Sequence, residues 1–540
     1  MSKTEYTGHP DARRPKKTPL SWIIFALLAI IVICCNYIGC REYGRIDLSE
    51  YESYSISERS KKLLESDAIQ KRETPIRIIF AFPASSPGYH RMYVLLEEYA
   101  RHSNGKIEIE CFDPLRQPGR AHDIEDIYNV KCDQELCIID ARNDKNAPTN
   151  HYDADPSKAN QFRIITGSQF LKYDIRPDGK RQVVALMMDD VLCDELIKAI
   201  EGRQRKMCII TNKSSLQFDN KGNLDTTTIS TIRSIVGSLN INLIPAVLSE
   251  TEEQEIPDDI DGLIIIAPQS DFEPCQIKTI EKFWDRNERK SIFIALDPSL
   301  PFYSTQKIKD KDAKGDDIVK DVFGPTLPNL YGFLSRNGIK PSGDDRIMLK
   351  NSQRLVNNIS VVFPNNALPC TQSFWNNTTQ LEGRCRSFYL VHQDESEASA
   401  RKLVQYPLIY TTDEYYGETN PNRGAAYNEH DDINGPLCVA AAVTKGTVND
   451  PNRMNTLVVV GNVDMLAEEG ARKEIRDYLR SVWAWMTERP EYAGKSANID
   501  LTVKIDLNRH SRSAVEHLTL IIMPLLALLI AIFIWNTRRH

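Results

Sequence analysis

The stretch GLIIIAPQSDFEPCQIKTIEKFWDRNERKSIFIALDPSL, residues 262–300, decides how this chain is read. Two short apolar runs, 262–268 and 291–298, flank an amphipathic segment that opens on Glu273-Pro274. Runs of four to eight apolar residues on either side of a helical period predict strand, helix, strand, and a crossover of that length joins parallel strands. Neither run alternates polar with apolar residues, so both strands are expected to be covered on both faces. The second run stops at Asp297-Pro298, a carboxylate followed by a residue that cannot continue the ladder.

The same grammar recurs on both sides. Upstream, KMCIIT (206–211) is a strand, followed by an amphipathic helix and the strand of NLIPAVL. Earlier still, PIRIIFAF (75–82), YHRMYVLLEEYARHS (89–103) and KIEIECF (106–112) form a strand-helix-strand unit that ends at Asp113-Pro114. A helix near 121–129 and the strand ELCIID (135–140) extend it. Downstream, NTLVVVGN (455–462) is another buried strand that runs into Asp464, and ARKEIRDYLRSVWAWMTE is a closing helix. Residues 299–455, rich in Pro and Asn, read as irregular. The fold class expected is α/β: a small βαβ module over 41–205, then an open, mostly parallel sheet with helices on both faces over 206–489.

Charge and motifs exclude several functions. A formal net charge of −7, with basic residues scattered, argues against a grip on nucleic acid. AGKS (493–496) lacks the glycine that a phosphate loop needs five residues before Gly494, where Arg489 stands. No HExxH and no GxSxG occurs, so neither a zincin site nor a serine nucleophile elbow is supported. No cofactor or metal is called for, and no catalytic residue is assigned. Twelve cysteines contain no CxxC pair; Cys132 with Cys137, or Cys370 with Cys385, could bridge in an oxidising compartment.

What remains is the strand-end set Asp113, Asp297, Asn462 and Asp464. The carboxyl edge of an open α/β sheet is where ligands bind. A strand-end Asp-Pro also has a purely structural use, since Asp accepts nearby backbone N–H groups and Pro stops the strand. With no partner base or nucleophile in the sequence, these residues read as strand terminators and as an edge for ligand or partner recognition.

Both termini carry long apolar runs. Leu20–Cys40 and Leu518–Asn536 have the length of bilayer-spanning helices. Arg13, Arg14, Lys16 and Lys17 precede the first, and Arg538 and Arg539 follow the second. The positive-inside rule then puts the tails 1–19 and 537–540 in the cytoplasm and 41–517 outside, with 490–517 as a linker. The expected location is the inner membrane of a bacterium, with two spans.

The order of these elements resembles the auxiliary membrane component of bacterial ABC-type transport systems associated with gliding motility. The likeness rests on YSISERSKKLLE (54–65) after the first span, the strand PIRIIFAF, and the run from Tyr93 to Ala121. It continues through residues 263–299, TLVVVGNVDML and the closing WNTRRH. The chain departs from that family at 211–217, where TNKSSLQ replaces a Gly-His-Gly-Glu-like stretch, and at NERK (287–290), where glycines are usual. The resemblance implies a thioredoxin-like module without redox cysteines and a flavodoxin- or amidotransferase-like module without catalytic residues. It also implies a non-enzymatic, membrane-anchored auxiliary subunit that meets an ABC-type permease, a separately encoded ATPase, and an envelope protein or glycan. The alternatives are a membrane-tethered envelope hydrolase using Asp297 or Asp464, and a structural envelope scaffold.

Overall fold

The computed structural model describes residues 27–34, 55–132, 135–145, 161–175, 181–201, 204–214, 230–311, 317–344, 346–351, 357–366, 368–391, 403–420, 427–446, 454–467, 472–497 and 525. Residues from Tyr54 onward cluster as one compact unit and Met1–Ser53 as another.

In the smaller unit the described residues are the helical stretch 27–34, whose large apolar side chains from Leu27 to Ile33 are each more than half exposed. Eight residues of helix advance about 12 Å, against a hydrocarbon core of about 30 Å. The rest of the span expected at 20–40, and all of that expected at 518–536 except Leu525, lies outside the described residues. No helix among the described residues is long and apolar enough to cross a membrane. This corrects the expected two-span inner-membrane topology, and with it the fold reading that put a transmembrane helix at each end.

The larger unit is a mixed α/β fold of several sheets. It opens with α1 (Glu58–Glu65) and α2 (Asp67–Gln70), then β1 (Ile76–Ala81), α3 (Tyr89–His102), β2 (Ile107–Phe112), α4 (Pro118–Tyr128), β3 (Leu136–Asp140) and β4 (Phe162–Thr166). These four strands form one sheet in the order β2-β1-β3-β4. β1 and β2 are parallel across α3, whereas β3 and β4 run antiparallel. The hairpin β5 (Leu171–Ile175) and β6 (Arg181–Leu186) leads into α5 (Met188–Glu201).

A second sheet of eleven strands follows. Its first half comprises β7 (Arg205–Ile210), α6 (Ser230–Ser238), β8 (Ile241–Ala246), β9 (Gly262–Ile266), α7 (Pro274–Trp284) and β10 (Ser291–Ala295). β11 (Tyr303–Lys311) and β12 (Asp317–Pro325) pair only with each other, and α8 (Pro328–Arg336) returns the chain to the sheet. Then come β13 (Ile339–Pro341), β14 (Arg346–Leu349), β15 (Asn358–Val362), β16 (Thr378–Glu382), β17 (Phe388–Leu390), β18 (Leu403–Thr411), β19 (Tyr415–Glu418) and β20 (Ile433–Asn434). The last are β21 (Cys438–Gly446), β22 (Met454–Val460) and α9 (Lys473–Met486). β14, β19 and β20 form a small separate sheet.

The main path of the large sheet is β16-β15-β18-β21-β22-β10-β9-β7-β8, with β17 on β21 and β13 on β17. From β8 to β22 every pairing is parallel; from β22 outward through β21, β18, β15 and β16 every pairing is antiparallel. The expectation of a mostly parallel sheet with an irregular 299–455 is therefore corrected, because that segment builds the antiparallel half.

Burial explains the unbroken apolar runs of the parallel half. Along β9, Leu263 and Ile265 face one core with Ile280, Phe283 and Trp284 of α7. Ile264 and Ile266 face the other core, which contains Trp483 of α9. Phe293 of β10 packs on Trp483 with ring centroids 5.1 Å apart. A strand covered on both faces has no position for a polar alternation, and each such side chain contributes about 1.5–3 kcal/mol by leaving water.

Candidate functional site at the carboxyl edge

β9, β10 and β22 are neighbours and parallel, so their carboxyl ends open on one edge. Immediately after β9 the chain turns at Ala267, which is buried and has φ +47°, a left-handed conformation uncommon for a residue with a Cβ. That turn presents Gln269, whose backbone N–H donates to the Lys213 carbonyl at 2.7 Å. The Gln269 carboxamide donates through Nε2 to Asp297 Oδ2 at 3.2 Å. Asp297 Oδ1 accepts the Ser299 N–H at 2.8 Å, so the carboxylate closes the turn after β10 while its other oxygen faces Gln269.

Asp464 reaches the same edge from β22. Partial burial raises its carboxyl above the ordinary range and the charge of Asp297 adds to this, while a backbone hydrogen bond and the charge of Arg384 oppose it. The two strand-end aspartates are thus within electrostatic reach of each other. Asp464 lies over Gly383 at φ +85°, where a Cβ would meet its Oδ2 at 1.7 Å.

Asn462 does something different. It is buried, and its Nδ2 donates to the carbonyls of Glu382 and Arg384 at 2.9 and 2.8 Å. Its Oδ1 accepts the Met465 N–H at 2.7 Å. All its capacity is spent on fixing the loops around Asp464, so Asn462 is a positioning residue. Asp113 ends β2 in the four-stranded sheet, accepts the Leu115 N–H at 3.0 Å and pairs loosely with Arg116 at 3.5 Å. It caps its own turn and does not join the other three.

Beneath the edge lies a support that sequence reading missed. Arg386 is buried, yet its guanidinium donates to the Leu300 carbonyl at 2.7 Å, Tyr331 OH at 2.9 Å and the Asp344 carbonyl at 3.2 Å. It also lies over the Phe302 ring, 5.5 Å from its centroid, and that ring stacks on Tyr331. Arg386 therefore holds the 297–302 turn from below. Fully buried Asp344 accepts the Ser387 N–H with both oxygens at 3.1 Å, and burial pushes its carboxyl up to about 6 despite Arg386. Gly461 lets β22 pass Arg386 closely, since a Cβ there would meet the Arg386 carbonyl at 2.0 Å. In the sequence, GRCRSF lies in the stretch read as irregular, and nothing in it signals that one arginine is buried.

Chemically the edge offers two carboxylates and a carboxamide, a set that accepts hydrogen bonds and favours a ligand with hydroxyl or amine donors. Buried Cys385 touches Asn462 Nδ2 at 3.4 Å, and burial pushes its thiol up to about 12, which keeps it out of the thiolate form a nucleophile needs. All ten described cysteines are free thiols, including both pairs that could have bridged. Among the described residues no group of three or more His, Cys, Asp or Glu side chains is set to hold a metal ion.

No family model and no curated protein matches this chain. Solved structures similar to it include the mmIFT52 N-terminal domain, at 12% identity and TM-score 0.32 over 52% of this chain and 97% of that one. Another is a putative ThuA-like protein from Bacteroides uniformis, at 7% and 0.29 over 54% and 94%. An exo-β-1,4-mannosidase from Opitutaceae bacterium strain TAV5 follows, at 6% and 0.24 over 75% and 50%. Likenesses this distant carry no argument about what the chain does. The expected function as a membrane-anchored auxiliary subunit of an ABC-type, gliding-motility-like system is corrected: no helix among the described residues is long and apolar enough to cross a membrane, and no matching family or curated protein links the chain to such a system.

Proposed function

We propose that this chain is a recognition domain that binds a small polar ligand at the carboxyl edge of β9, β10 and β22 without breaking bonds in it. The observation that carries this reading is the convergence of Asp297, Gln269 and Asp464 on an edge whose strand-end elbow is Ala267. A strained turn of that kind is where an α/β hydrolase carries its nucleophile, and alanine has no reacting atom. The carboxylates lie on rigid strand ends braced by Arg386 and Asn462, which suits recognition.

A second reading is favoured by one feature: the raised carboxyl of Asp464 beside Asp297 resembles the unequal pair of a general-acid hydrolase. One experiment separates the two. A thermal-shift screen against monosaccharides, polyols, amino acids and diamines is run with the wild type and with Asp297→Asn and Asp464→Asn. Recognition predicts hits that weaken at least tenfold in both variants, with no turnover of chromogenic glycosides or esters. Hits indifferent to both substitutions would remove the carboxyl edge as the site. Turnover abolished by either substitution would establish the hydrolase reading instead.

A further inference from the structure

The hairpin of β11 and β12 leaves the fold at the carboxyl edge. The Asp297 carbonyl accepts the Leu300 N–H at 3.3 Å, and three residues later β11 begins at Tyr303. The Phe302 carbonyl accepts the Thr326 N–H at 2.8 Å, which ties the end of β12 to the start of β11. The base of the hairpin, and not its tip, therefore adjoins Asp297. A closed turn keeps its first and fourth Cα atoms within about 7 Å, and three extended residues add at most about 11 Å. Tyr303 is thus no more than about 18 Å from Asp297, Cα to Cα.

Two aromatic rings stand on one face of this base. Tyr303 is opposite Pro325 and Thr305 is opposite Phe323, so Tyr303 and Phe323 are diagonal neighbours on the same face. Their ring centroids are 5.7 Å apart, with planes 21° from parallel. Tyr303 is 49% exposed and Phe323 72%. Phe302, one residue earlier, turns the other way and is buried against Tyr331 and Arg386. Side chains alternate along a strand, so the two rings face solvent, away from the brace that Arg386 provides. Single exposed apolar side chains are ordinary; a stacked pair beside a polar edge is a surface for a ligand with a flat apolar face.

The rings and the edge together select one chemistry. A ring face is negative and attracts C–H groups that carry partial positive charge. Asp297 and Asp464 accept hydrogen bonds and Gln269 has both donors and an acceptor, while the exposed guanidinium of Arg384, whose charge acts on Asp464, donates. Sugar hydroxyls donate and accept, and the ring that carries them shows a C–H face. An ammonium ligand only donates, and Arg384 repels it.

We propose that Tyr303 and Phe323 form a stacking subsite for an oligosaccharide whose neighbouring units are held by Asp297, Gln269 and Asp464. The inference rests on the recognition reading of the carboxyl edge and names its ligand class. Contacts with an aromatic face are worth about two- to tenfold each in affinity, so the rings read chain length. A single sugar occupies the carboxyl edge alone, and a longer one also gains the rings.

The experiment is isothermal titration calorimetry of the full chain with cellotetraose, maltotetraose and chitotetraose, each against its own monosaccharide, and with spermidine. At least one tetrasaccharide should bind about fivefold or more tightly than its monosaccharide. Tyr303→Leu and Phe323→Leu keep apolar bulk and remove the ring face. Each should weaken that tetrasaccharide about two- to tenfold and leave the monosaccharide unchanged. Phe323→Tyr should bind as the wild type does, which separates loss of the ring from a loosened hairpin. Asp297→Asn should weaken both lengths alike. Equal binding of the two lengths, or a length preference that survives both leucine variants, would overturn the stacking subsite; weakening by Asp297→Asn would then still uphold the carboxyl edge. Ring-dependent binding of spermidine with no sugar bound would overturn the ligand class. Sugar binding that needs the rings and is indifferent to Asp297→Asn would overturn the proposal together with the reading on which it rests. Absence of any sugar binding would overturn the proposal alone, since the other ligands of the thermal-shift screen test the edge separately.

Discussion

Replacing Arg386 by methionine is the sharpest test of how the carboxyl edge is held up. Methionine keeps the unbranched apolar stem in place and removes the guanidinium alone. Three acceptors lose their donor at once: the carbonyls of Leu300 and Asp344 and the hydroxyl of Tyr331. The buried Asp344 carboxylate also loses the nearby cation that lowers its affinity for a proton. A buried acceptor left without its donor costs about 1–3 kcal/mol, so losing three of them should cost at least about 3 kcal/mol. The penalty should depend on pH with a definite sign. Asp344 has a folded-state value of about 6, raised from 3.8, so its contribution is full below the unfolded value and is lost as pH rises through 6. Without Arg386 that value rises further, so the variant continues to lose stability above pH 6 where the wild type has levelled off. Each further tenfold gain in the proton affinity of Asp344 adds about 1.4 kcal/mol to that loss. Urea unfolding followed by tryptophan fluorescence at pH 5 and pH 8 measures both quantities, and adding Asp344→Asn closes a double-mutant cycle. A loss below about 1 kcal/mol at both pH values, or no coupling with Asp344→Asn, would mean that Arg386 is not the brace of the 297–302 turn.

Other substitutions probe neighbouring parts of the same reasoning. Gly383→Ala puts a Cβ within 1.7 Å of Asp464 Oδ2 at φ +85°, so it should displace that carboxylate and cost about 1–2 kcal/mol in backbone strain alone; ligand affinity in the screen above should fall along with thermal stability. Gly461→Ala meets the Arg386 carbonyl at 2.0 Å, where backbone must move, and should lower the unfolding midpoint more than Gly383→Ala does. In the four-stranded sheet, buried Asp140 accepts Tyr128 OH at 2.7 Å and the Arg142 guanidinium at 3.0 and 2.8 Å. Asp140→Asn should cost about 2–4 kcal/mol in urea unfolding, and the same change at exposed Asp123 should cost almost nothing.

Physical chemistry explains which parts of the molecule were legible from residue order. β9, β10 and β22 were visible because strands covered on both faces are apolar almost throughout, and β7 because its last four residues, Met207 to Ile210, form an unbroken apolar run. The antiparallel half was not, for local reasons. β18 contains Pro407 at a shift in register, a position where proline is tolerated only because the ladder is already interrupted. β21 reads CVAAAVTKG, too small-sided to signal a strand, although it lies at the centre of the sheet between β18 and β22. At the site, Asp297 and Asp464 were visible as strand ends, but their meeting depends on β22 pairing with β10, which no local pattern encodes. Gln269 and Ala267 were invisible because their roles come from a backbone turn.

The position of β22 between β10 and β21 has a consequence for how the chain comes into being. During synthesis β10 is finished when residue 295 appears, yet the strand that covers its open side is complete only at residue 460. For about 160 residues of elongation, at about 5–20 residues per second, the nascent chain carries an uncovered edge of Ile292, Phe293 and Ile294. Such an edge invites pairing with another chain. The window in which this protein is most exposed to misassembly therefore opens with its most regular strand and closes with one of its last.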